Sequence, residues 1–128
     1  MNHGGKISSF TQLDAWKEGH KLVVEIYKLT RAFPREEMLG LVSQMRRSVV
    51  SITSNIAEGF SRRSYKEKVQ FYSMSLGSVT ELQNQLLVAK DVGYISGIEF
   101  KRIADLSVIV NKIINGLIKS SRVKIPDS

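Results

Sequence analysis

Along almost the whole chain the apolar residues recur at steps of three and four, the spacing that lines one face of an α-helix. Four such stretches are separated by clear punctuation. The first, over residues 13–32, has its stripe at Leu22, Ile26, Leu29 and Phe33, with Trp16 and Val23 widening the apolar face. Pro34 ends it, because the residue before a proline avoids the helical region. Pro34 also suits the first turn of a following helix, where a missing N–H costs nothing, and Glu36 and Glu37 then stand where the helix dipole favours acids. The second stretch, residues 35–58, is the most regular: Met38, Val42, Met45, Val49, Ile52 and Ile56 alternate steps of four and three. That is a heptad seam facing a partner helix, and Gly59 closes it.

The third stretch opens at Ser64-Tyr65-Lys66-Glu67, a capping box in which the serine hydroxyl accepts from the backbone three residues on. It carries Val69, Tyr72, Leu76, Val79, Leu82, Leu86 and Ala89 along one side, and Gly93 is placed to cap its end. Ser96-Gly97-Ile98-Glu99 is a second capping box and starts the last helix. Its seam is Ile103, Leu106, Val110, Ile113 and Leu117, with Ile109, Ile114 and Ile118 as an additional apolar row. All three connections are short, which lays consecutive helices antiparallel. No stretch alternates with the period of a strand. The pattern therefore predicts an all-α fold, an antiparallel up-down-up-down four-helix bundle over residues 11–119. Residues 1–10, with Gly4, Gly5, Ser8 and Ser9, read as a flexible lead-in, and 120–128, polar and holding Pro126, as a frayed tail.

The second helix carries another row at the same step: Gln44, Arg47, Ser51, Ser54 or Asn55, and Glu58. It lacks the long Lys and Glu residues that usually cover an exposed face, and it lies beside Ile52 and Ile56, so part of it is expected to be at least half buried. With helices two and three antiparallel about a turn near Arg62, Arg47 comes level with Ser78, one turn from Glu81. An Arg47–Glu81 pair follows, within one chain or across a subunit boundary; if buried, losing one partner costs about 3–5 kcal/mol. Helix three also holds Ser73, Ser75, Gly77 and Ser78, small residues that admit a close helix approach, within the bundle or from another subunit.

Composition narrows the classes of function. The 128 residues are 42% hydrophobic with 2 Pro, which suits a folded domain, and no apolar run approaches the ~20 residues of a membrane span. Residues 1–6 lack the apolar centre of a secretory signal, and 0 Cys excludes disulfides and thiolate chemistry, so a cytoplasmic location is expected. His3 falls in the lead-in and His20 reads as a rim histidine; neither has a Glu three residues before it, as a di-metal bundle requires. There is no phosphate-binding Gly-x-x-x-x-Gly-Lys loop and no Gly-x-Ser-x-Gly elbow. No catalytic residue, metal or cofactor is expected.

Charge is the positive signal. Nineteen Lys and Arg against 12 Asp and Glu give +7, which favours polyanionic partners because each cation placed on a phosphate releases counterions. Arg62, Arg63, Lys66 and Lys68 surround the turn between helices two and three, and Arg46 and Arg47 lie further back on helix two. Phe60, Tyr65 and Phe71 are interleaved with the turn cluster, either as stacking platforms for bases or as end-of-bundle core. Lys119, Arg122 and Lys124 fall at the same end of an antiparallel bundle, which makes that end strongly basic. Arg46, Arg62, Arg63, Lys66 and Lys68 are the nucleic-acid candidates on charge grounds.

The run Phe33-Pro34, Leu41, Gln44, Arg46-Arg47, Ser51-Ile52, Asn55-Ile56-Ala57-Glu58-Gly59, then Gly77-Ser78 and Glu81-Leu82, resembles the 23S rRNA intervening-sequence protein family. Phe10, Leu13, Trp16 and Tyr27 match its opening, so the resemblance covers residues 10–118; Ser48 and Thr53 stand where alanine and proline are common. Members are small bacterial four-helix bundles, similar to the accessory variability determinant of diversity-generating retroelements. The resemblance implies a ring-forming homo-oligomer, a pentamer, with RNA more than DNA as ligand and no enzymatic activity. Gln44, Arg47, Asn55, Glu58 and Glu81 match the family pattern and, with Ser51, are read as structural or interface residues. Two functions stand side by side: an oligomer that holds nucleic acid through basic surface, or an interaction scaffold that docks a protein such as a reverse transcriptase.

Overall fold

A computed structural model of the chain describes residues 6–126. Residues 1–5 of the expected lead-in, with His3, Gly4 and Gly5, and the last two residues of the tail lie outside them. Among the described residues there is no strand, and four α-helices carry the fold: α1 (Asp14–Thr30), α2 (Leu41–Ser61), α3 (Tyr65–Asp91) and α4 (Gly97–Arg122). Each helix packs on its neighbours in sequence, α4 packs back on α1, and the backbones of the diagonal pairs stay apart. Across the α2–α3 contact Ser48 meets Glu81, Ser51 meets Ser78 and Ile52 meets Ser75, numbering that falls on one helix as it rises on the other. The result is the up-down-up-down bundle that the spacing predicts.

The seams of α1 to α3 are those of the sequence apart from Met38, with Val69 and Leu76 only partly covered. Leu22, Ile26, Leu29 and Phe33 are buried, as are Val42, Met45, Val49, Ile52 and Ile56, and Tyr72, Val79, Leu82, Leu86 and Ala89. α4 is rotated from its expected seam. Ile103, Ser107, Val110, Ile114, Ile118 and Ser121 face inward, while Leu106, Ile113 and Leu117 are only partly covered and Ile109 is exposed. Ser107 is tolerated inside because its hydroxyl accepts from Gln83 Nε2 at 3.1 Å and donates to the Ala104 carbonyl at 2.6 Å.

Element ends differ from the pattern in four places. α2 starts at Leu41, after a separate 3₁₀ turn at Arg35–Glu37, because Gly40 adopts φ −109°, ψ −111° and interrupts the helical path. Met38 therefore leaves the seam and is exposed. Glu37 still acts at the helix start, since its carboxylate accepts from the Leu41 N–H at 3.3 Å. Gly59 does not end α2, which runs on to Ser61; it is buried, and a Cβ there would lie 2.6 Å from a Tyr72 ring carbon. Ser9 and Gln12 form a capping box on a 3₁₀ turn at Phe10–Gln12, and the Phe10 ring meets Trp16 edge-on at 5.6 Å, so this part of the lead-in is built onto the bundle. α4 continues to Arg122 with Ser121 buried, so the helix reaches past the point where fraying was expected.

At one end of the bundle the two helix connections are tied together. Tyr94, after α3, donates its hydroxyl to Glu37 at 2.7 Å and packs on Phe33 with ring centres 5.4 Å apart. Gly93 makes the bend, with φ +87°, the left-handed backbone that favours glycine. The Tyr94 hydroxyl, then the Leu41 N–H, hold the Glu37 carboxyl below its ordinary 4.5.

Two stability predictions follow from these contacts. Gly59→Ala forces a methyl into the Tyr72 ring and should destabilise by about 1–3 kcal/mol, read by thermal or urea melts. Glu37 has a depressed folded pKa, so its contribution is present above the unfolded carboxyl range and is lost as pH falls through the folded value. Tyr94→Phe should therefore melt below the parent at neutral pH, and the gap should close as Glu37 is protonated in acid.

Candidate nucleic-acid interface

Three segments meet at the end of the bundle opposite Tyr94. The α2–α3 connection is only Arg62, Arg63 and Ser64, because the Ser64 hydroxyl accepts from the Glu67 N–H at 3.1 Å and starts α3 at once. The last turn of α4 brings Lys119 and Arg122 to the same end. Lys124 closes the arrangement, its ammonium 5.3 Å from the centre of the Tyr65 ring.

The candidate cations do different jobs there. Among the described residues, the exposed side chains of Arg63 and Lys66 make no hydrogen bond or ion pair, and the same holds for those of Lys119 and Arg122. Arg62 is engaged: it pairs with Glu58 at 2.8 Å and lies over the Phe71 ring, 4.5 Å from its centre. Lys68 caps α2. Its ammonium donates to the carbonyls of Phe60 at 2.6 Å and Gly59 at 3.3 Å, so it satisfies acceptors that a helix C-terminus leaves open. Partial burial lowers its pKa. Arg46 does not join the cluster. It faces α1, where Nε donates to Thr30 Oγ1 at 3.0 Å and the guanidinium stacks over Tyr27 at 4.6 Å. Sixteen residues of helix separate it from Arg62, about 24 Å along the axis.

Phe60, Tyr65 and Phe71 are all partly buried, and each has a cation over its ring: Lys68 over Phe60, Lys68 and Lys124 over Tyr65, Arg62 over Phe71. The other end of the molecule is balanced, with Lys90–Asp91, Lys101–Asp105 and Arg102–Glu25 pairs. The excess positive charge is therefore asymmetric along the bundle.

The polar row of α2 runs along the outer edge of the α2–α3 contact. Ser51 and Asn55 are partly buried, whereas Gln44, Arg47, Ser54 and Glu58 are exposed. Ser51 shares a hydrogen bond with Ser78 at 2.8 Å, and Asn55 Nδ2 donates back to the Ser51 carbonyl at 2.9 Å. Arg47 and Glu81 do not pair within the chain. Ser48, one position further round the helix, is buried and donates to Glu81 at 2.9 Å, while Arg47 is exposed and its side chain has no partner among the described residues. Both line an open groove of about 390 Å³ with Leu39, Ser43, Gln44, Ser48 and Gln85. Gln85 is 8% exposed, and its buried Oε1 receives no hydrogen bond. Sequence reasoning missed Ser48 and Gln85; each stands next to a seam residue, Val49 and Leu86, and that adjacency was the available signal.

His20 stacks on Trp16, ring centres 4.6 Å apart, at the rim of the α1–α2 face. Among the described residues no three His, Asp or Glu converge as a metal site would need, and no helix is long and apolar enough to cross a membrane.

Comparison with known proteins agrees with this architecture. A solved structure described as a protein of unknown function from the S23 ribosomal protein family of Bacteroides thetaiotaomicron is similar, with TM-score 0.76 and 23% identity. The match covers 82% of this chain and 95% of that one, and it shows the shared fold. No curated protein sequence matches the chain. The family model for the 23S rRNA-intervening sequence protein matches residues 11–116, which spans all of α1, α2 and α3 and most of α4. The chain belongs to the 23S rRNA-intervening sequence protein family.

Proposed function

We propose that this protein is a non-enzymatic, cytoplasmic homo-oligomer that binds nucleic acid, RNA in preference to DNA, through phosphate contacts at its basic end. The observation that carries the reading is the convergence of the α2–α3 turn with the end of α4, marked by Lys124 against Tyr65. Arg63, Lys66, Lys119 and Arg122, none of them paired with an acid among the described residues, then share one end of a chain of charge +7. Such a surface supplies sequence-independent affinity and no base-reading geometry.

The α2–α3 groove supports self-association. Copies of a +7 chain repel, and the groove is the strip where an unpaired Arg47 stands beside Glu81, flanked by the exposed Leu39 and Met38. Arg47 of one subunit on Glu81 of the next would satisfy both within a pentameric ring, the state implied by the family resemblance.

Titration of structured rRNA fragments at rising salt tests the first reading. Affinity should fall steeply, and replacing Arg63 and Lys66 by Gln should reduce the slope of log K against log salt by about one per charge removed. Affinity indifferent to salt, or no binding at low salt, would overturn it. For assembly, sedimentation velocity should give an oligomer for the parent, smaller species for Arg47→Glu, and restored assembly for Arg47→Glu with Glu81→Arg. A monomeric parent at micromolar concentration contradicts the assembly reading.

A further inference from the structure

We infer that the basic end takes double-helical nucleic acid, gripping its phosphate backbones, in preference to single strands. This rests on the function proposed above and adds the form of the partner. Single strands are held by splayed bases stacking on aromatic rings, with the backbone tracked by cations alongside. The end has three rings in the right place, Phe60, Tyr65 and Phe71, but each already lies under a cation of the chain itself.

Two of those covering cations are anchored. Lys68 is held by the Phe60 and Gly59 carbonyls, and displacing it would leave the end of α2 uncapped. Arg62 is held by Glu58. A base could reach these rings only by breaking contacts that the fold already makes. The rings act as supports that hold cations in position.

What remains for a ligand is a set of point charges. Arg63 and Lys66 stand at the α2–α3 turn, Lys119 and Arg122 on the last turn of α4, all exposed and, among the described residues, without a paired acid or a ring contact. They belong to separate helices of one bundle end, and packed helices sit about 8–10 Å apart, so the charges are spread across a surface and not strung along one groove. A surface that makes only phosphate contacts gains from phosphate density. A duplex carries about one charge per 1.7 Å of axis, twice that of either strand, in a fixed lattice that needs no ordering of the ligand. A flexible single strand must be ordered first, and stacking is not available to offset that cost.

Fluorescence anisotropy with the full chain, an RNA duplex of about 16 base pairs and one of its strands chosen to be unstructured tests the inference at matched low salt. The duplex should bind about tenfold or more tightly, with the steeper salt slope. Tyr65→Leu, shown by melting to remain folded, should leave single-strand affinity within about twofold, since the ring is not a stacking platform. Equal or tighter binding of the single strand overturns the inference while leaving nucleic-acid binding intact. So does a loss on Tyr65→Leu confined to the single strand. Absence of binding to either ligand overturns the functional reading and this inference together.

Discussion

Ser75 donates to the backbone carbonyl of Ile52 at 2.8 Å, and the Tyr72 ring packs against the buried Gly59; both contacts require α2 and α3 to approach closely. Most of the molecule is arranged around that approach. It fixes the register of the two longest-packed helices, because Ser75 can reach Ile52 in one alignment only. With that register set, Ser51 falls on Ser78 and Ser48 on Glu81, a ladder of short polar side chains along the edge of the seam. Short side chains are what such a narrow gap admits. Ser48 takes the contact with Glu81, while Arg47, about 100° round the helix from it, is turned to the outside.

The same approach organises the basic end. Close helices allow a three-residue connection, and that connection holds Arg62 and Arg63 directly over the first turn of α3. Lys68 reaches back from α3 to the carbonyls that α2 leaves open, so one cation of the cluster serves the fold. The charged surface is thus built in two tiers. Lys68 and Arg62 are fixed by carbonyls, an acid and rings, and they support an outer tier of Arg63, Lys66, Lys119 and Arg122 that meets solvent. Across the bundle, ion pairs and the Glu37–Tyr94 link leave the opposite end without comparable excess charge.

Three of the four seams were legible in the sequence, because a helix facing a core must repeat its apolar residues at its own period. The capping serines Ser64 and Ser96 and the bend at Gly93 were legible for the same local reason. The start of α2 was not, since the composition of residues 35–40 is compatible with helix and only the path of Gly40 separates the 3₁₀ turn from α2. α4 was read only in part: Ile103 and Val110 face the core as expected, while Ile114 and Ile118 of the additional row lie deeper than Ile113 and Leu117. Its apolar residues cover more than one stripe, and the stripe that turns inward includes Ser107, which Gln83 satisfies inside the bundle.

Local spacing alone determined the class of the fold, the count and direction of its helices, and the basic character of the end where the α2–α3 turn meets the end of α4. These depend on period, punctuation and net charge, all of which are properties of the chain before it packs. Which polar residue meets which was decided only by tertiary structure. Arg46 and Arg47 are neighbours in sequence, yet one is drawn to Thr30 and Tyr27 on α1 and the other is left free in the α2–α3 groove. Lys66 and Lys68 are equally basic, yet one is free and the other caps a helix. A helix turns about 100° per residue, so adjacent side chains face different neighbours, and only the packed bundle supplies those neighbours.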